Sequence, residues 1–206
     1  ALADAGARVV ATDLSADMLA WEAKARPPCA VADIRFLPLA AAAVDDTVAA
    51  FVLNHLPDPA AGLAELRRVT RPGGAILVNV YSNASQSEVR DRIDEVAAEA
   101  GWQVPDWYRG LKYVSAPLLG TAEAMEAVAA GRELVDVVVE ERPVDVGITE
   151  PDRLVRYRFG QAQFAAWLDG IGPERADEIR RRAADAIAPI MEPFRPIVVF
   201  LAARRP

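Results

Sequence analysis

The chain has 206 residues, 52% of them hydrophobic and 26% charged; that is enough for one domain with a packed core and too apolar for disorder. Acidic side chains outnumber basic ones 30 to 23, a net charge of −7, which argues against nucleic acid as the main partner because phosphate binding runs on clustered Lys and Arg. A lone cysteine, Cys29, excludes an intramolecular disulfide and fits a reducing, cytoplasmic setting, and neither a membrane-length apolar run of about 20 residues nor a basic-then-apolar leader is visible.

The chain starts at Ala1, not Met, and inside what reads as a helix tail stopped at Gly6. Arg8 to Thr12 is a short apolar run that suits a buried parallel strand. Ser15 is placed to cap a helix to about Lys24, ended by Pro27 and Pro28, and Cys29 to Ala32 reads as a second strand closed by Asp33. Thr47 to Leu53 is a third strand. Asp58 and Pro59 form an N-cap with a first-turn proline for a helix to Thr70, with Leu63, Leu66 and Val69 on one face. Pro72-Gly73-Gly74 turns the chain into a fourth strand, Ala75 to Val80.

Strands alternating with helices over so short a span predict a parallel α/β sheet. Ligands in such sheets sit beyond the carboxyl ends of the strands. Attention therefore falls on Asp13, Asp33, Asn54 with His55, and Tyr81 to Asn83. The second half reads as more helical. Ser85 to Ala100 is amphipathic, 102–113 is aromatic and irregular, and Thr121 caps a helix ending at Gly131. Glu133 to Val146 is β-rich, with Pro143 predicting an edge or a kink. Thr149 and Asp152 form a capping-box pattern for one helix to about Asp169; a second runs from Glu174 to Ile190, and IVVFLAA closes the chain as a strand.

Asp13 ends a strand and precedes a capped helix, where a carboxylate can accept two hydrogen bonds from a ribose diol or simply serve as a turn residue. Asp33, with the Ile34 N–H, can read an adenine edge or solvate a strand end. His55 is the one histidine, and its ordinary pKa suits a general base near neutrality. It serves equally as a structural residue at a strand end. Tyr108 and Lys112 match a Y-x-x-x-K pair of short-chain dehydrogenases, but Glu95 stands where the upstream serine would fall, so the match is set aside as chance. No His/Cys cluster predicts a metal site.

The run 51–78, FVLNHLPDPAAGLAELRRVTRPGGAILV, resembles the signature after strand 4 and through strand 5 of class I S-adenosylmethionine-dependent methyltransferases. It is most similar to the ubiquinone/menaquinone-biosynthesis type, the type 11 methyltransferase domain. VVATDLSADML and VADIRFLPL stand upstream in the right order, so the resemblance covers about residues 1–82. It implies a Rossmann-like sheet, mostly parallel with an antiparallel last strand, and S-adenosyl-L-methionine as cofactor. Asp13 would hold the ribose hydroxyls, Leu14 and Met18 would flank the adenine or ribose, and Asp33 and Ile34 would read the adenine edge. Asn54 and His55 would lie near the methionyl part and the transferred methyl. The acceptor would be a small molecule, with the reaction an in-line displacement.

The family's first strand ends in a D-x-G-x-G-x-G loop. Here only twelve residues precede Asp13, and they hold one glycine, Gly6. The expectation is a sheet lacking its first strand, with an open slot; direct pairing of 8–12 with 47–53 would refute it. The whole of 1–206 is read as one methyltransferase domain, with 1–82 as the cofactor half and 83–131 and 149–194 as helical substrate or lid regions. Tyr108, Tyr157 and Arg158 are the candidate acceptor residues, and helix packing is the other explanation for them. Two other readings stay open: a catalytically silent module of the same fold, and a nicotinamide-dependent oxidoreductase.

Overall fold

The computed structural model describes residues 2–21 and 23–206; Ala1, and Glu22 within the expected first helix, lie outside the described residues. A two-stranded parallel sheet pairs β1 (Ala11–Asp13) with β2 (Cys29–Val31). Between them Ser15 accepts from the Met18 N–H and starts α1 (Ala16–Ala20), shorter than expected. A second sheet has the order β3 (Thr47–Ala50), β4 (Ala75–Tyr81), β6 (Ile197–Arg204), β5 (Val135–Pro143). β3 and β4 run parallel, and β6 is antiparallel to both of its neighbours. The 8–12 segment does not pair with 47–53, and the two sheets are separate, as the expected open slot requires.

The crossover from β3 to β4 is α2 (Pro59–Val69). The Asp58 carboxylate accepts from the N–H groups of Ala60 and Ala61, and Pro59 occupies the first turn. Leu63, Leu66 and Val69 bury the face that the sequence marks, against Ile76, Val78 and Leu201 of the sheet. A side chain at Gly62 would put its Cβ 2.6 Å from the Leu53 Cδ2 and 2.8 Å from the Leu56 Cδ1, so any larger residue there would push both leucines aside. This sheet core also takes Met125 and Ala129 from α5 (Ala122–Ala130), which Thr121 caps.

A second core is mainly helical, with Trp102, Ile148 and Phe194 added from outside the helices. It joins α3 (Glu88–Glu99), α6 (Pro151–Phe159), α7 (Ala162–Ile171) and α8 (Pro173–Ile187) around Ile93, Leu154, Phe164 and Ile179. The single helix expected from Thr149 to Asp169 is two, broken at Gly160. The capping box does not form there: Glu150 is the N-cap and no side chain caps it. The expected helix to Ile190 ends at Ile187 and continues as a 3₁₀ turn. The irregular aromatic stretch contains α4 (Asp106–Gly110), followed by a π-helical turn over Leu111–Ser115. Pro143 ends β5 at the sheet edge, where a missing N–H costs no ladder bond.

Candidate functional site

The sites marked by the sequence lie at the carboxyl ends of β1, β2, β3 and β4. Asp13 is the last residue of β1 and is exposed. Its Oδ1 accepts from the Ser15 N–H at 2.8 Å, which fixes the carboxylate at the mouth of α1. Leu14 and Met18 are 70% and 55% exposed, so neither belongs to the protein's own core. Asp33 is held by Arg35, whose Nη2 donates to Oδ2 at 2.6 Å and whose Nε reaches both oxygens. That guanidinium and the Arg35 backbone N–H pull the carboxyl down to about 2, so it stays ionised. Ile34, beside it, packs against the sheet core.

The chain leaves β3 through a strained residue. Phe51 has φ +56°, an uncommon region for a bulky side chain. Its N–H is held by the Asn79 backbone oxygen at 2.9 Å and by the Asn79 Oδ1 at 3.1 Å. Its ring stacks on Tyr81 at 4.5 Å. This reversal feeds the 3₁₀ turn Leu53–His55, anchored by the fully buried Leu53. Asn54 is buried, and its Oδ1 has no hydrogen-bond partner. A buried acceptor left unpaired costs roughly 1–3 kcal/mol, so this oxygen asks for a donor from a ligand.

His55 is exposed by surface area, yet partial desolvation of its ring pushes its pKa below the usual 6.5. The Asp13 carboxylate opposes that shift. Desolvation is the larger effect, so the imidazole is neutral at neutral pH.

Beyond β4 lies a second polar constellation. The hydroxyls of Tyr81 and Tyr157 are 2.7 Å apart, and burial together with this contact drives the Tyr81 phenol well above its ordinary value. Arg158, on α6, is buried and binds Asp94 on α3 through two bonds, Nε to Oδ1 at 2.8 Å and Nη2 to Oδ2 at 2.5 Å. Its Nη1 donates to the Gln161 Oε1 at 2.6 Å. Burial alone would lower the Arg158 pKa, but the Asp94 carboxylate and the neighbouring Tyr108 hydroxyl leave it raised. Tyr108 thus stands close to Arg158, whose fork is already occupied by Asp94. Lys112 lies over the Tyr113 ring at 5.5 Å. The sequence reading missed Phe51, Arg90 and Asp94. The i, i+4 spacing of Arg90 and Asp94 on one helix was the only signal, and it is shared with ordinary surface helices.

A cleft of about 740 Å³ between α6 and α8, with Asp152, Arg156, Asp177 and Arg181 among its lining, contains none of these strand-end residues. Among the described residues no group of three or more His, Cys, Asp or Glu side chains is placed to hold a metal ion. No described helix is long and apolar enough to cross a membrane.

The methyltransferase-domain family model matches residues 1–78, the stretch that carries Asp13, Asp33, Asn54 and His55. Residues 1–78 are thus similar to this family, and the chain shares its fold with solved methyltransferases. A demethylmenaquinone methyltransferase of Mycolicibacterium gilvum is 42% identical over 81 residues, 39% of this chain and 36% of that protein. A malonyl-[acyl-carrier protein] O-methyltransferase of Serratia marcescens is 40% identical over 96 residues, 46% and 38% of the two chains. The chain thus spans little more than a third of the curated relatives it matches. Likeness of fold extends further than likeness of sequence. Phosphoethanolamine N-methyltransferase 2 of Haemonchus contortus, solved with S-adenosyl-L-methionine, superposes with a TM-score of 0.57 at 19% identity, covering 100% of this chain and 45% of that one.

Proposed function

We propose that the protein transfers a methyl group from S-adenosyl-L-methionine to a small-molecule acceptor, in a setting where the exposed Cys29 stays a free thiol. The observation that carries this reading is the buried, unpaired Asn54 Oδ1 next to His55, whose charge state Asp13 influences, in a segment similar to the methyltransferase-domain family. When bound, S-adenosyl-L-methionine supplies a sulfonium methyl open to in-line displacement. The Asp13 carboxylate accepts hydrogen bonds from the ribose diol, with Leu14 and Met18 covering the nucleoside. Asp33, kept ionised by Arg35, and the Ile34 N–H face the adenine edge. The Asn54 Oδ1 gains the donor it lacks from an ammonium N–H. His55, holding no proton on one ring nitrogen at neutral pH, receives the acceptor's proton. Alignment of the reacting atoms by these contacts is worth several kcal/mol, on the order of the gain from making a bimolecular step intramolecular.

The helical regions 83–131 and 149–194 cover the acceptor side, where Tyr108 and Tyr157 face inward and Arg158, already paired, positions them. Calorimetric titration of the full chain with S-adenosylhomocysteine tests the reading. Saturable binding, weakened tenfold or more by Asp13→Asn, is expected; no binding, or binding indifferent to Asp13→Asn and Asn54→Ala alike, sinks it. A parallel fluorescence titration with NADH is expected to give no saturable signal, and a saturable one would favour an oxidoreductase.

A further inference from the structure

Arg90 is the feature of the acceptor side that packing leaves unexplained. Its guanidinium is largely enclosed, and burial, followed by the nearby positive charge of Arg158, lowers its pKa. Among the described residues it makes no ion pair: the nearest shared carboxylate, Asp94, is taken in two bonds by Arg158. Asp91 and Asp94 attract it only from beyond contact. One Nη2 proton goes to the Ser85 backbone oxygen, and the plane lies over the Phe194 ring at 5.5 Å. The buried Nε–H has no acceptor at all. An enclosed cation without a counter-charge is costly, and a guanidinium with an unused edge is shaped for a two-oxygen anion.

The tyrosine pair points the same way. Tyr157 packs on the same Phe194 ring, 5.8 Å away. Tyr81 and Tyr157 carry two hydroxyl protons, and their mutual bond at 2.7 Å uses one of them. The other remains free to donate. The same place therefore holds two kinds of unspent donor, an Arg90 edge and one phenol, and the Asp94–Arg158 pair beside them adds no net charge.

We infer that Arg90 and the Tyr81–Tyr157 pair form a subsite for an oxyanion, a carboxylate or a phosphate, carried by the methyl acceptor. Its place in the reaction rests on the methyl-transfer reading: an acceptor anchored here by its anionic end presents its nucleophile toward the strand ends. The anion site itself stands on the side chains alone.

The test uses the full chain, ¹⁵N-labelled, at pH 6.5 and constant ionic strength in chloride. Inorganic phosphate and acetate are titrated separately while the arginine Nε–Hε signals are followed, with Arg90 assigned from the peak lost in Arg90→Lys. The expected result is a saturable shift of the Arg90 signal with at least one of the two anions, which also tells phosphate from carboxylate preference. The exposed Arg92, paired with Glu95 at 2.9 Å, is expected to stay still. Tyr157→Phe, which removes one oxygen and leaves the ring packing, is expected to weaken the anion at least tenfold, and Arg90→Gln to abolish the response. Should Arg90→Gln lose its cooperative melt, Tyr157→Phe decides. No saturable shift with either anion, or equal affinity in Tyr157→Phe, overturns the proposal and leaves Arg90 as a packing residue over Phe194. Loss of S-adenosylhomocysteine binding in the same preparation, with anion binding kept, would overturn the methyl-transfer reading and not this one.

Discussion

Residues 2–46 and the helical layer of the second half are held by different means. In the first, Leu19 is the one described side chain that is buried, while Val10, Leu14, Met18, Trp21, Val31 and Phe36 are more than half exposed. In the second, Ile93, Leu154, Phe164, Ile179 and Ile187 are fully enclosed. The family match runs through the exposed region and stops at residue 78, before the helical core begins. The difference teaches that recognisable sequence lies where turns, caps and strand ends fix particular residues, whereas the packed helices have only to be apolar at the right spacing. Many sequences meet the second condition and few meet the first.

The sharpest way to break this comparison is to delete core side chains. Leu154→Ala or Ile179→Ala is expected to cost about 2–5 kcal/mol in urea unfolding. Leu14→Ala is expected to stay within about 0.5 kcal/mol. Similar losses in the two regions would mean that the N-terminal unit shares the cooperative core.

Next in size is the pair between α3 and α6. Asp94→Asn leaves the 6%-exposed Arg158 without its carboxylate and is expected to cost roughly 3 kcal/mol. Arg35→Gln, which breaks the exposed Asp33 pair, is expected to leave the melting temperature unchanged. Equal effects of the two would erase the contrast between buried and exposed ion pairs.

In the site, Asp13→Asn is expected to weaken S-adenosylhomocysteine by about 1.5–3 kcal/mol, the worth of hydrogen bonds to a charged group, with no change in melting. His55→Gln is expected to cut turnover far more than cofactor affinity; equal losses in both would remove the base role from His55.

The smallest effect is in pH dependence. The folded pKa of His55 lies below 6.5, so the unfolded chain takes up the proton first as pH falls. Its contribution to stability is complete above 6.5 and declines from there down through the folded pKa. His55→Gln is expected to flatten the stability profile in that window, and a rise of stability on acidification would reverse the assigned direction.

The amino-acid sequence by itself determined the α/β class, the order of the strands, the Asp58–Pro59 helix start and the strand-end residues Asp13, Asp33, Asn54 and His55. Each of these follows from local patterns: short apolar runs, caps, and turn residues at fixed offsets. Only the structure showed that the helix expected from Thr149 to about Asp169 is two, broken at Gly160. It alone paired Arg158 with Asp94, 64 positions apart in the chain, and Tyr81 with Tyr157, 76 apart. Among the described residues it also left Arg90 without an ion pair and the Asn54 Oδ1 without a donor. An unpaired buried group is a statement about what surrounds it in space, and no spacing along the chain encodes that.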